Sequence, residues 1–237
     1  MRSLILPLSL SAFMAVLALP TAQAALITYT DEAAYHAAFA NNGPFVTTTI
    51  DFEHQAPANG TKSFSSSTGY VISGAQFVGY ATASTYALLI VDSGASSPYF
   101  DFGSGGTLKS PSYDRASNAT FLPFIRVTLP ANVGAVGVDL MTVSPNALTY
   151  QVAVQGSTFN IATAVRPNRT FFGVTSDIPI SFLDFTVAGT SYNGGSYGLL
   201  DNFQFEQTPE PGTFLLIGGG LMALGTFRKR QRNLKRS

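Results

Sequence analysis

The central part of the chain consists of short runs of β-branched and aromatic residues separated by clusters of glycine, serine, asparagine and proline. Runs of this length and composition predict β-strands. About ten of them follow one another between residues 46 and 205 without an intervening helix. Consecutive strands without helical crossovers pair in antiparallel sheets. The sequence therefore predicts an all-β domain, an antiparallel β-sandwich or jelly roll.

Three segments of this region predict more detail. Residues 86–91 form one continuous apolar run, typical of a single buried strand. Gln155-Gly156-Ser157 predicts a tight hairpin turn. In residues 180–187 the alternation separates two faces, one with Ile180, Phe182, Asp184 and Thr186 and the other with Ser181, Leu183, Phe185 and Val187. Both faces contain aromatic residues, so the pattern leaves open which face is buried.

One short helix is predicted near the start of this region. Thr30 is a suitable N-cap, and Asp31 and Glu32 place negative charge in the first turn. The residues 41–44, Asn-Asn-Gly-Pro, form a strong stop signal.

The N-terminus has the pattern of a secretory signal peptide. Arg2 supplies the charged start, an apolar segment follows, and Ala22 and Ala24 form an A-x-A cleavage site. We expect signal peptidase to cleave after Ala24, so that the mature chain begins at Ala25. The predicted domains are therefore a signal peptide (1–24), the β-sandwich (25–207) and a C-terminal region (208–237).

The C-terminal region contains an uncharged segment followed by cations. Residues 211–227 carry no formal charge and would span about 26 Å as a helix, close to the hydrocarbon thickness of a bilayer. Arg228, Lys229 and Arg230 begin a basic cluster, which holds that end on the cytoplasmic side of a membrane. The sequence predicts a C-terminal transmembrane helix with a basic anchor.

Pro209, Glu210 and Pro211, followed by this apolar segment and basic tail, resemble the PEP-CTERM sorting signal of Gram-negative bacteria. The resemblance implies export across the inner membrane, transient anchoring there, and cleavage near the tripeptide by an exosortase. The expected destination is the cell surface or the extracellular matrix.

Charge and cysteine content exclude several classes of protein. The region 25–208 contains twelve acidic and six basic residues, a net charge of about −6, so nucleic acid is not an expected partner. The chain has no cysteine, which excludes disulfides and thiolate metal sites.

A second resemblance concerns the sandwich itself. The segments 50–53 (Ile-Asp-Phe-Glu) and 200–203 (Leu-Asp-Asn-Phe) are similar to the first and last strands of many sandwich proteins that carry PEP-CTERM signals. If these two strands are adjacent, Glu53, Asp201 and Asn202 could supply oxygen ligands to one structural Ca²⁺. Hydrogen bonding of the carboxylates to backbone is the competing interpretation.

The related folds include carbohydrate-binding modules, so the resemblance implies polysaccharide as a partner. Tyr99, Tyr113, Tyr192 and Tyr197 lie in or near Gly/Ser-rich stretches and are candidates for stacking on sugar rings. We expect a non-catalytic, exported protein.

The alternative is a secreted glycoside or ester hydrolase on the same fold. Residues 194–198 match the G-x-S-x-G pattern, but both histidines, His36 and His54, precede it, whereas the nucleophile elbow requires a later one.

Overall fold

The computed structural model describes residues 24–40, 45–65, 67–80, 85–86, 88–92, 102, 105–110, 124–142, 147–188 and 198–208. These residues form two antiparallel sheets and one short helix, which confirms the all-β sandwich predicted from the sequence. Across these ranges, no helix combines the length and apolar character needed to cross a membrane. The segment predicted to do so, 211–227, lies outside them.

The first sheet has eight strands. They are β1 (Leu26–Tyr29), β2 (Val46–Ile50), β3 (Thr61–Ser63), β7 (Leu89–Asp92), β8 (Gly106–Lys109), β10 (Val133–Thr142), β13 (Thr170–Ser176) and β15 (Gly198–Gln207). Their order is β1-β13-β10-β15-β8-β7-β3, and β2 also pairs with β15. The first and last predicted strands, β2 and β15, are adjacent, with Ile50 opposite Phe203, so the condition set for a shared ligand site at their ends is met at the level of the backbone.

The second sheet has seven strands. They are β4 (Tyr70–Ile72), β5 (Ala75–Tyr80), β6 (Thr85–Tyr86), β9 (Phe124–Thr128), β11 (Thr149–Val154), β12 (Ser157–Ala162) and β14 (Phe182–Ala188). Their order is β12-β11-β14-β9-β5-β4, and β6 pairs with β5.

Two sequence predictions need correction. The apolar run 86–91 is not one strand, because the chain leaves the second sheet after Tyr86 and enters the first sheet at Leu89. Helix α1 (Glu32–Ala40) is capped by Asp31 rather than Thr30. The Ala34 N–H donates to Asp31 Oδ1 at 2.7 Å, the bond between an N-cap side chain and the third helical residue.

The inner faces of the two sheets enclose one large hydrophobic core. Aromatic side chains from both sheets meet there: Phe203 of β15 lies edge-on to Phe77 of β5 and to Phe185 of β14, with ring centroids 5.2 and 6.5 Å apart. All three side chains are buried. Aromatic rings in such offset or edge-to-face contacts contribute about 0.5–1.5 kcal/mol each beyond the area they bury.

The predicted hairpin at residues 155–157 is confirmed. Val154 pairs with Ser157, which leaves Gln155 and Gly156 as a two-residue turn. Both have positive φ, 48° and 83°, as a type I′ turn requires.

Candidate functional site

The outer face of the second sheet is the candidate functional surface. Leu183, Phe185 and Val187 are buried in the core, so the opposite side chains of β14 point outward. Within β14 the buried face is therefore the one that carries Leu183, Phe185 and Val187, whereas Ile180, which precedes the strand, is buried although the alternation places it on the other face. The outward set includes Phe182, which is 42% exposed.

Five side chains form a continuous line across this face, one from each of five neighbouring strands. The register pairs Tyr80 with Phe124, Phe124 with Thr186, Thr186 with Gln151, and Gln151 with Asn160. We call these five residues the outer row. With neighbouring strands about 4.8 Å apart, the outer row is about 19 Å long.

The outer row begins with two stacked aromatic rings. The rings of Tyr80 and Phe124 are parallel within 9°, with centroids 4.6 Å apart. Both side chains are only partly buried. Tyr80 on β5 covers one face of the Phe124 ring. The other face is directed toward β14, which lies on the opposite side of β9. There the register partner is Thr186, a residue with a small, partly buried side chain.

An ion pair, Arg126 with Asp184, lies on the same face, two residues along β9 and β14 from Phe124 and Thr186. Arg126 Nε and Nη2 donate to Asp184 Oδ1 and Oδ2, both at 2.7 Å. The hydrogen bond to Asp184 raises the pKa of Arg126 further above its usual value. The guanidinium also lies over the Phe182 ring, 4.7 Å from its centroid.

This arrangement leaves hydrogen-bonding capacity directed at solvent. A guanidinium has five N–H groups, and the bidentate contact with Asp184 uses two of them. The Arg126 side chain is 41% exposed. Gln151 and Asn160, at the other end of the outer row, are exposed amides that can both donate and accept. The face therefore combines exposed aromatic surface with uncharged polar groups and an internally neutralised ion pair.

The structure places two of the predicted metal ligands in a different cluster. Asp201 of β15 lies directly opposite Asp139 of β10 on the first sheet. Arg169 Nη1 lies between these carboxylates, 3.1 Å from Asp201 Oδ2 and 3.2 Å from Asp139 Oδ2. Asn202, with a φ of 46° at an irregularity in the β10–β15 pairing, donates its amide N–H to Asp139 Oδ2 at 2.8 Å. A guanidinium therefore already supplies positive charge to Asp201.

Glu53 has a separate partner. Its Oε1 accepts from the Gly105 N–H at 2.6 Å, which ties the chain after β2 to the residue before β8. Among the described residues, no group of three or more histidine, aspartate or glutamate side chains is arranged to hold a metal ion. The calcium site at Glu53, Asp201 and Asn202 stays a prediction, to be tested by melting the protein in calcium and in EDTA.

The remaining predicted site residues lie outside the described ranges. They are Ala22 of the predicted cleavage site, the four candidate tyrosines Tyr99, Tyr113, Tyr192 and Tyr197, the tripeptide Pro209, Glu210 and Pro211, and the basic residues Arg228, Lys229 and Arg230. Ala24 is described and immediately precedes β1.

The sequence does not reveal the outer row, because its members come from strands that are up to about a hundred residues apart in the chain. The available signal was the alternation in 180–187, together with a similar alternation of Phe124, Arg126 and Thr128 in β9. Each pattern shows a strand face with both aromatic and polar residues. Neither pattern shows which strands are neighbours.

The solved structures that this chain resembles have low sequence identity to it. A mutant family 29 carbohydrate-binding module complexed with mannohexaose is 11% identical, covers 69% of this chain and 93% of its own, and has a TM-score of 0.35. A family 29 carbohydrate-binding module from Piromyces equi is 10% identical, with coverage of 70% and 93% and a TM-score of 0.37. The K1 cleaved adhesin domain of Lys-gingipain from Porphyromonas gingivalis is 13% identical, with coverage of 69% and 99% and a TM-score of 0.34.

No curated protein matches the chain. One family description does match: the PEP-CTERM protein-sorting motif, at residues 207–230. The match begins at Gln207, the last residue of β15, and it includes the tripeptide, the uncharged segment and the first basic residues. The chain thus carries a PEP-CTERM protein-sorting motif directly after the final strand of a β-sandwich.

Proposed function

We propose that this protein is exported, processed by signal peptidase and an exosortase, and binds a polysaccharide at the cell surface or in the extracellular matrix through the outer row. Its precursor is anchored in the inner membrane by the segment after the tripeptide. The sorting motif supports the export route. The observation that carries the binding proposal is the outer row itself, with aromatic rings at one end and exposed amides at the other.

The chemistry of this face suits a neutral, hydroxyl-rich polymer. Sugar rings present C–H faces that pack on aromatic rings, and hydroxyls that pair with amide and guanidinium groups. The face of the Phe124 ring that is turned away from Tyr80 provides the first contact, and Gln151 and Asn160 provide hydrogen bonds further along. A row about 19 Å long contacts several consecutive sugar units, which favours a polymer over a monosaccharide.

The experiment measures binding of the chain from Ala25 to Ser237, in mild detergent, to a panel of soluble polysaccharides by affinity electrophoresis and calorimetry. Phe124→Leu keeps apolar volume but removes the ring, and we expect it to weaken binding by about tenfold, or ~1.4 kcal/mol. Gln151→Ala should weaken binding several-fold. Thr28→Ala, an exposed change on β1 of the other sheet, is the matched control and should bind like the native protein.

The same assay separates the alternatives. Saturable binding that Phe124→Leu leaves unchanged would contradict the outer row as the site. In that case, loss of binding in Tyr99→Ala or Tyr197→Ala would assign binding to the tyrosines identified from the sequence. Release of shorter products from the polymer would favour the hydrolase interpretation.

A further inference from the structure

The predicted start of the mature chain lies against a carboxylate. The backbone N–H of Ala25 donates to Asp177 Oδ1 at 2.8 Å. This contact follows from the strand pairing, because Leu26 of β1 is opposite Ser176 of β13 and the residues beyond both strand ends are therefore neighbours. It joins groups 152 positions apart in the sequence.

Asp177 belongs to a loop that is held in place from the other sheet. The side chain of Gln155, in the β11–β12 hairpin, accepts from Ser176 Oγ at 2.8 Å and donates to the carbonyls of Ile178 and Pro179 at 3.2 and 2.9 Å. The Gln155 side chain therefore contacts residues on both sides of Asp177: the Ser176 hydroxyl before it and two backbone carbonyls after it.

The two ends of the domain meet at this point. A cavity of about 310 Å³ is lined by Ala25 and Asp177, and also by Ile27, Tyr29, Phe45 and Thr208. Thr208 is the last described residue before the tripeptide of the sorting motif. The N-terminal processing point and the beginning of the C-terminal sorting segment therefore share one end of the sandwich.

We propose that Asp177 is a binding site for the new N-terminus that signal peptidase creates, so that removal of the signal peptide stabilises the edge strand β1. Hydrolysis of the Ala24–Ala25 peptide bond consumes one water. The signal peptide departs with a new carboxylate on Ala24, and the mature chain keeps a new ammonium group on Ala25. The single N–H that contacts Asp177 becomes one of three donors on a cation, and a neutral hydrogen bond becomes an ion pair. The proposal rests on cleavage after Ala24 and is independent of polysaccharide binding.

The test is a double-mutant cycle on the chain extending to Ser237, in mild detergent. Two N-termini, Ala25 and Gln23, are combined with Asp177 and Asp177→Asn, and thermal unfolding is measured for all four proteins. Asparagine keeps the Oδ1 acceptor and removes only the charge. We expect Asp177→Asn to lower the melting temperature by about 2 °C when the chain begins at Ala25, and by less than half of that when it begins at Gln23.

Asp51→Asn is the matched control, because Asp51 is another exposed carboxylate that accepts a backbone N–H, that of Glu53. Its effect should be the same for both N-termini. Equal effects of Asp177→Asn in the two backgrounds would overturn the proposal. So would N-terminal sequencing of the exported protein that gave a first residue other than Ala25.

Discussion

The hydroxyl of Tyr150 crosses the core of the sandwich to the backbone of Leu199, whose N–H donates to it at 2.7 Å. The same hydroxyl donates to the Met141 carbonyl at 2.8 Å. Tyr150 belongs to the second sheet, and both partners belong to the first. Burial of the side chain raises the pKa of the hydroxyl, which keeps it protonated and able to donate. This polar link fixes the two sheets relative to each other across the hydrophobic core.

Tyr150→Phe should therefore destabilise the protein. The substitution leaves a buried N–H and a buried carbonyl without this partner, at a cost of about 1–3 kcal/mol in the free energy of unfolding. Denaturant titration measures the change. Tyr70→Phe is the control: the buried Tyr70 hydroxyl makes no hydrogen bond within the described part of the chain, so its removal should change stability little. Equal losses in the two variants would contradict the role of the Tyr150 hydroxyl.

Helix α1 depends on a glycine in β13. A Cβ on Gly173 would lie 2.5 Å from Cδ2 of the buried Tyr35 ring, the residue through which α1 packs on the first sheet. Gly173→Ala should cost about 1–3 kcal/mol of stability, because the ring and the helix must shift. Gly134→Ala, whose nearest contact would be Ser176 O at 3.9 Å, should be close to neutral when both are measured by chemical unfolding.

Arg169 should be required for the two facing carboxylates of the first sheet. Arg169→Met leaves Asp139 and the fully buried Asp201 side by side without their shared guanidinium. We expect a loss of about 3–5 kcal/mol in the free energy of unfolding. Adding Asp139→Asn to that variant should restore part of the loss, because the like-charge repulsion disappears. A double variant no more stable than Arg169→Met would refute the explanation.

Stability should rise with pH where Lys109 titrates. Burial lowers the pKa of Lys109 to about 8 from its usual 10.5. Between these two pH values the unfolded chain binds more protons than the folded one, so the free energy of unfolding increases with pH, by up to about 3 kcal/mol. Below pH 8 the penalty for burying the charge is present in full.

Lys109→Met isolates this contribution. The variant should be more stable than the native protein at pH 7, and the difference should shrink as the pH rises from about 8 to 10.5. Unfolding curves of both proteins at several pH values measure it. A difference that is constant with pH would show that Lys109 keeps its ordinary pKa in the folded state.

Much of the fold could be predicted from local patterns. Alternation and turn residues identified most strands, and Gln155-Gly156 specified its own hairpin because a type I′ turn needs only residues that tolerate positive φ. The prediction of one strand over 86–91 is wrong, because a continuous apolar run can contain the end of a strand in one sheet and the start of a strand in the other. The cap of α1 differed by one residue, since Thr30 and Asp31 are both good caps and only the geometry chooses between them.

The sequence alone determined the properties that depend on neighbouring residues: the export and sorting patterns at the two ends, the all-strand character of the centre, and the two-residue turn. Tertiary structure alone decided which residues meet. Tyr80, Phe124 and Gln151 share one row, and Ala25 reaches Asp177, because strand order and register are set by burying a common core. That burial acts on the whole chain at once, so no short segment contains it.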